Sequence, residues 1–600
     1  MKTGRNLKEC FELLIKRVKM RHETNSPSTY LLLISLLLFT FTSISAAQPL
    51  DRSISTRTSD APAPDSLTAK VDSMMAPYDT TSSPGAVIGV VKDGEVIFSR
   101  GYGMADLTHQ VPITTDTRFN IASISKQFTG FAFSMLAEQG KLSLDDPARK
   151  YLSELPAFED TVTLRHMLTH TSGYREAYGT LALRGLLASR DYLSRDETLE
   201  VIERQPALEF IPGSNRRYNS TAYVVLAMIL EEVTDDSYPR WMQQHVFDPI
   251  GMRQTVIEDE VGEIIPGSAT SYYYDDKDST FTTAYSNRAI FGSAEIYTTV
   301  GDLARWMQNF HTAEVGGKSV QDRLREPFVL NKGDTTNYGL GIVVDRARGL
   351  ERVHHSGSHA GYGSKLNYYP ELNAGVIVMT NHGDFNSSRT ARKVAKIFFG
   401  QHMDIPEKPK EEPEQKVTVD STLLAQYAQR YRANKQVMSI RQGDNKLYLR
   451  RSQEQSYTLK PTSDSTFTSA GHELSVTFYT NTSREVTSAT LKDSTTLPLQ
   501  PIGLWNPTKK KLQSYEGRYV SPELETIYTV TATDSQLVAR HRLLGTLHLQ
   551  PVQNALETGI FTTLKGTIQP RIRFEQNKMG IITGFYASLW RTDNVWFQKQ

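Results

Sequence analysis

Ser123-Ile124-Ser125-Lys126 sets a hydroxyl and an amine three residues apart at the start of a helical pattern. On a helix, positions i and i+3 share a face. A serine hydroxyl is a weak nucleophile, and a desolvated lysine is a base able to take its proton. A serine at a helix N-terminus also has backbone N–H groups aimed toward a developing oxyanion. A second segment, Tyr218-Asn219-Ser220, follows Pro212-Gly213-Ser214 and precedes an apolar helical run. A tyrosine beside a lysine can have its pKa lowered and relay a proton. The third, His355-Ser356-Gly357-Ser358, runs into His359-Ala360-Gly361-Tyr362-Gly363. Glycine on a strand edge lets a substrate backbone approach closely, and His355 brings a donor for an anionic or carbonyl group. His354, His355 and His359 fit a metal site poorly, because no HExxH helix or ligand pattern of known spacing accompanies them. Singly, these segments are also an ordinary polar helix start, a half-buried tyrosine and a Gly-rich turn; their order along the chain gives them weight.

The surrounding sequence supplies elements to hold them. Gly85 to Val91, the pair Asp93-Gly94 and Glu95 to Ser99 read as a β-hairpin with a two-residue turn. Phe128, Ala132, Met135 and Leu136 recur at helical spacing, and Gly140 closes that helix. Tyr223 to Val233 reads as a second buried helix, and Ala374 to Thr380 as a central strand. Helices bracketed by strands indicate α+β or α/β-type packing.

Glu407 to Gln415 is rich in Pro, Glu and Lys and reads as a stiff, charged linker. The chain beyond it is dominated by Thr, Ser, Tyr and alternating strands, and it repeats itself. Leu424, Tyr427 and Arg430-Tyr431 match Leu512, Tyr515 and Arg518-Tyr519. Leu459 and Pro461 match Leu549 and Pro551. Phe478, Asn481 and Val486-Thr487 match Phe574, Asn577 and Ile582-Thr583. Three matches in one order point to two copies of a β-unit, read as two antiparallel barrels of about 80–90 residues each.

With 600 residues, the chain has room for several domains. Its 39% apolar and 22% charged content is globular. A net charge of +1 gives no reason to propose a nucleic-acid partner. The single cysteine, Cys10, excludes an intrachain disulfide and a zinc site built on cysteines. Tyr30 to Phe41 is an apolar run too short for a comfortable membrane span, and Ser45 and Ala47 suit a cleavage site before Gln48. Residues 1–47 therefore read as a signal peptide, with Met20 as an alternative start. Their removal leaves 60 basic against 63 acidic residues, a net charge of −3. The expectation is an exported protein, most simply periplasmic.

The three segments together resemble the serine β-lactamase and penicillin-binding superfamily, in its class C-like branch of D-aminopeptidases, D,D-carboxypeptidases and esterases. S-x-x-K, Y-x-x and H-x-G occur in that family's order. Leu144-Asp145-Asp146-Pro147, Leu164 to Gly173, Phe247 to Met252 and Tyr338-Gly339-Leu340-Gly341 resemble its supporting blocks. The resemblance covers about residues 66–400. It implies an α+β, β-lactamase-like fold, with an antiparallel sheet flanked by a helical region, ahead of the two barrels. Expected boundaries are 1–47 for the signal peptide, 48–65 for a flexible lead-in, 66–400 for the catalytic domain, 401–420 for the linker, and 421–505 and 506–600 for the barrels. A fragment ending near Glu411 is expected to fold alone, with the barrels tuning access.

The resemblance also implies roles. Ser123 is the acylated nucleophile, and Lys126 and Tyr218 share the acid and base work. Ser220, His355, Gly357 and Ser358 bind substrate, with the amides of Ser123 and Ser358 as oxyanion hole. His166 and His170 are structural in that pattern, and no metal or organic cofactor is implied. Two positions depart from it. Ser220 stands where Asn is usual, with Asn219 one place early, and His355 stands where β-lactamases have Lys. A histidine with an ordinary pKa of about 6.5 is mostly uncharged at neutral pH. A preference for substrates without an obligatory carboxylate is therefore expected, and a gain on carboxylate substrates from His355→Lys. The expected activity is covalent hydrolysis of a small ester, amide or D-peptide, peptidoglycan fragments among the candidates. The alternatives are a β-lactamase or D,D-peptidase acting on cell wall, and a silent peptide- or peptidoglycan-binding member. An α/β-hydrolase is disfavoured, since no G-x-S-x-G elbow occurs.

Overall fold

A computed structural model of the chain describes residues 65–600, apart from 276–277, 405–416, 434–435, 444–445, 451–455, 470–473, 494–495, 503–506, 555–556 and 564–567. The signal-peptide segment 1–47, nearly all of the lead-in and most of the charged linker lie outside the described residues.

Asp93 and Gly94 both adopt positive φ, 52° and 83°, the conformation a two-residue hairpin turn demands. They join β1 (Ala86–Lys92) to β2 (Glu95–Tyr102). Four later strands complete an antiparallel sheet: β3 (Val343–Ala347), β4 (Leu350–His359), β5 (Tyr362–Tyr369) and β6 (Ala374–Thr380). Their order is β3-β4-β5-β6-β1-β2. The strand β6, apolar up to Thr380, lies between β5 and β1 and is buried along its whole length, because both faces of the sheet are covered. Alternation along β1 shows how. Ala86, Ile88 and Val90 pack with α1 (Asp65–Met75) and the late helix Ser387–Phe399. Val87 and Val91 pack into the large core of the helical region. That region includes α2 (Ser125–Glu138), α3 (Ala177–Arg184) and α4 (Thr221–Thr234). Among the described residues, no helix is long and apolar enough to cross a membrane.

The repeated sequence folds as two closed eight-stranded barrels, one from Arg430 to Ile502 and one from Gly517 to Lys599. The matched residues do matched work. The Tyr431 hydroxyl donates to Tyr427 O, and that of Tyr519 to Tyr515 O. Leu459 and Leu549 are fully buried. Asn481 Oδ1 accepts from Glu485 N, and Asn577 Oδ1 from Ile581 N, so the same asparagine holds the same strand connection in both copies.

Pro62–Gln600 is one compact unit, and the second barrel is built onto the N-terminal domain rather than tethered to it. Ala182, Leu183 and Leu187, in and just after α3, belong to that barrel's own core. Burial of each leucine is worth about 1.5–3 kcal/mol. An ionic cluster seals the junction. Arg175 pairs with Glu209 (3.1 Å) and with Glu523, all three side chains being nearly inaccessible. Arg217 pairs with Glu209 and Asp593, each at 2.7 Å. The expectation of an independent fragment ending near Glu411 therefore meets a physical obstacle, since the cut strips apolar side chains and buried charges of their partners.

Candidate active site

The loop ahead of α2 is pinned from several sides. Ile121 N donates to Ile296 O (2.9 Å), Ser364 Oγ to Ile121 O (2.7 Å) and Ala122 N to Asn120 Oδ1 (2.8 Å). Ala122 is held at φ 49°, a left-handed conformation that costs a non-glycine residue about 1–3 kcal/mol and persists only where the surroundings impose it. The strained residue immediately precedes Ser123. Ser123 sits on a short 3-10 turn, Ala122–Ile124, ahead of α2 rather than within it. Lys126 lies in the first turn of α2, one turn further on, with Nζ 3.3 Å from Ser123 Oγ. The Ser123 amide has no hydrogen-bond partner among the described residues, and so stays open to an oxyanion.

Lys126 is 1% exposed. Burial is the main force on its ammonium and draws its pKa down to about 7; Glu176 opposes the shift and Arg591 adds to it. Nζ also donates to Ser293 O at 2.8 Å, fixing the amine beside the hydroxyl. Tyr218 lies under the same amine, with Nζ 5.1 Å from the ring centroid. Its pKa moves opposite to the sequence-based expectation. Burial raises it well above the ordinary phenol value, and the Ser123 hydroxyl and Arg591 only moderate that rise. Tyr218 thus keeps its proton at neutral pH, while a large fraction of Lys126 is uncharged and able to accept one.

The third segment is used differently from the expectation. The Asn219 amide donates to His170 Nδ1 (3.1 Å), so the proton of His170 is on Nε2, 2.9 Å from the Tyr338 hydroxyl. His355 Nδ1 can only donate to Ser356 O (2.7 Å), so its Nε2 accepts from Tyr338 (3.0 Å). Fixed backbone groups at both ends thus set every proton in the chain His170–Tyr338–His355. Burial, helped by Lys126, pushes both histidines well below the ordinary imidazole pKa. His355 is neutral with both nitrogens engaged. It has no N–H for a substrate, and its role is to position β4. His355→Lys would then leave the Tyr338 hydroxyl without an acceptor, at a cost of about 1–3 kcal/mol, and set a second cation near Lys126. The expected result is a lower denaturation midpoint and no gain on carboxylate substrates; undiminished stability in urea titration would contradict the network.

Gly357 is also spent internally. A Cβ there would lie 2.3 Å from Ile121 O and 2.9 Å from Ala122 Cβ, so the glycine lets β4 touch the nucleophile turn rather than admit a substrate. Pairing of β3 with β4 ends at His354. Over His355–His359 the outer edge of β4, with exposed Ser356 and Ser358, is unpaired by any strand among the described residues. Asn219 is a structural hub: Nδ2 donates to Tyr174 O and Arg175 O, and Oδ1 accepts from Ala222 N. Ser220, at the third position of its motif, gives its amide to Glu176 Oε2 (2.7 Å). His354 and His359 turn to other partners, Asp345 with Lys365 and Glu295 with Ser286.

Four neighbours of the site went unread in the sequence. Ser293 and Glu176 contribute through contacts between distant segments. Tyr338 opens a recognisable block but gave no hint of its bond to His355. Arg591, in the second barrel, places its guanidinium carbon 4.7 Å from the Tyr218 ring centroid; no local pattern marks it.

Comparison with known proteins identifies the family of the N-terminal domain. Residues 67–399 match the family model described as Beta-lactamase. Penicillin-binding protein 4* of Bacillus subtilis is 27% identical over 352 residues, covering 56% of this chain and 77% of that protein. A D-aminopeptidase of Gluconobacter oxydans is 26% identical over 364 residues, covering 60% and 67%. The solved structure of an octameric penicillin-binding protein homologue from Pyrococcus abyssi aligns at a TM-score of 0.52 and 24% identity, covering 73% of this chain and 99% of that one, a likeness of fold.

Proposed function

The chain belongs to the beta-lactamase family, and on that premise we propose that it is an exported serine hydrolase that forms a covalent acyl-enzyme on Ser123. Neutral Lys126 takes the Ser123 proton as Oγ adds to the substrate carbonyl, and the carbonyl electron pair moves onto oxygen. The Ser123 and Ser358 amides receive that oxyanion. As the intermediate collapses, the leaving group departs with a proton from Tyr218, which Lys126 restores. Water then enters by the same route and releases the acid. The substrate is a small ester, amide or D-peptide, with Ser220 and the open edge of β4 as its docking groups. The relatives named D-aminopeptidase and penicillin-binding protein support that class. The signal-like segment 1–47 supports a periplasmic location.

The observation that carries this reading is a fully buried amine 3.3 Å from the Ser123 hydroxyl, where burial draws the amine's pKa down to about 7. An amine desolvated beside a hydroxyl suits proton transfer rather than binding alone. Labelling with a neutral fluorophosphonate is expected to modify the peptide containing Ser123. Because the uncharged amine is the base, the labelling rate should climb as pH rises through about 7 and level off above it. Modification at another residue, or a rate flat from pH 5.5 to 8.5, would refute the assignment.

A further inference from the structure

We propose that Arg591, carried to the site by the second barrel, is a specificity residue that receives an anionic group of the substrate, a carboxylate. The inference rests on the serine-hydrolase reading above and names the substrate chemistry of the same site.

Arg591 and Trp590 form the tip of the barrel's last hairpin, between the strands Ile582–Leu589 and Thr592–Lys599. Trp590 takes φ 53°, and the tip is fastened on both sides. Thr592 Oγ1 donates to Glu176 O (2.9 Å) and lies 3.1 Å from Thr180 Oγ1. The Asp593 amide donates to Glu209 (2.8 Å), and its carboxylate holds Arg217. A Cβ on Gly179 would meet Leu589 O at 2.5 Å, so the helix and the hairpin are in backbone contact. The guanidinium is therefore delivered to Tyr218 by a rigid mount.

What it does there is decided by its unused donors. A guanidinium carries five N–H groups, yet Arg591 makes no hydrogen bond or ion pair among the described residues, and it is exposed. Of the neighbouring polar groups, Glu176 Oε1 and the Tyr218 hydroxyl lack a hydrogen-bond partner among the described residues, and Arg591 helps to hold the buried Glu176 carboxyl down without bonding to it. The other neighbours are committed. Lys126 donates to Ser293 and Ser123, His355 and His170 are closed into the Tyr338 chain, and Arg217 is paired twice. Arg216 lies over the Tyr338 ring and reaches Asn337. A positive group with open donors beside the proton-donating tyrosine suits a carboxylate a few bonds from the scissile carbonyl, because the planar fork matches it bidentately. The cation that His355 does not supply thus comes from another domain.

Two pairs of esters test this: an acylglycine phenyl ester against its 3-carboxyphenyl counterpart, and the acetyl against the succinyl ester of one phenol. The readout is the ratio of kcat/KM, charged over neutral, in each pair. In one pair the ratio should fall about ten-fold or more in Arg591→Ala, recover in part in Arg591→Lys and fall further in Arg591→Glu. Equal losses on both members, with both ratios unchanged, would reduce Arg591 to a stacking partner of Tyr218 and overturn the proposal. Fluorophosphonate labelling without turnover of any carboxylate ester would also overturn it while leaving the nucleophile standing. Absence of labelling as well would remove both readings.

Discussion

Ser123→Ala is expected to lose at least about 10³-fold in kcat, and all covalent labelling, while unfolding at the wild-type temperature. The first part follows from chemistry. Without Oγ there is no acyl-enzyme, and residual rate can come only from substrate binding and the oxyanion donors. The second follows from contacts. The Ser123 side chain takes a long hydrogen bond from Lys126 at 3.3 Å and lies beside the Tyr218 hydroxyl, whereas the turn itself is held through the backbone of Ile121 and Ala122. Lys126→Ala should be nearly as severe, and the double variant hardly worse than either single one, because nucleophile and base act as a unit. Retention of more than a few per cent of turnover by Ser123→Ala at unchanged melting temperature would sink the assignment.

The largest stability effect is expected at the junction with the second barrel. Arg175→Met should cost about 3–5 kcal/mol, the range for removing one member of a buried charge cluster. Burial already raises the pKa of Glu209 and of Glu523; the Asp593 amide, then Arg175 and Arg217, hold Glu209 down, whereas Arg175 is what holds Glu523 down. Arg217 still serves Glu209 in the variant, so Glu523 is the carboxylate left alone. Its partner change, Glu523→Gln, should therefore recover part of the loss in the double variant. Equilibrium urea unfolding of the four proteins measures the coupling. A single-variant loss under about 0.5 kcal/mol, or strict additivity, would show that the cluster does not hold the domains together. Because the same junction mounts the hairpin of Arg591, Arg175→Met should also lower activity without touching any reacting group.

The catalytic blocks were legible because local rules govern them. The Asp93-Gly94 turn, the helices at Ser125 and Thr221 and the buried run of β6 each follow from spacing and from conformations that few residues adopt. The duplicated barrels were legible because each copy repeats residues with one fixed task, such as the Tyr-to-carbonyl bond and the asparagine turn. Ser123, Lys126 and Tyr218 stood out by type and order, and the structure gathers all three.

What spacing could not convey is which partner exhausts a side chain. His355 looked like a donor to substrate and is consumed by Tyr338 and Ser356. Gly357 looked like an opening for substrate and is filled by the nucleophile turn. Tyr218 was expected to acidify beside a cation, yet burial outweighs the charge and keeps its proton in place. Those outcomes depend on desolvation and on which donor meets which acceptor, both properties of packed neighbours from remote segments.

The sequence by itself thus determined the sheet-and-helix scaffold and the pair of barrels, and singled out Ser123, Lys126 and Tyr218 as candidates, since each is written in local pattern. Only the tertiary structure decided that α3 plugs into the second barrel and that its last hairpin brings Arg591 to Tyr218. That contact joins residues far apart in the chain through buried apolar area and a sealed ionic cluster, and such energies exist only once the domains have met.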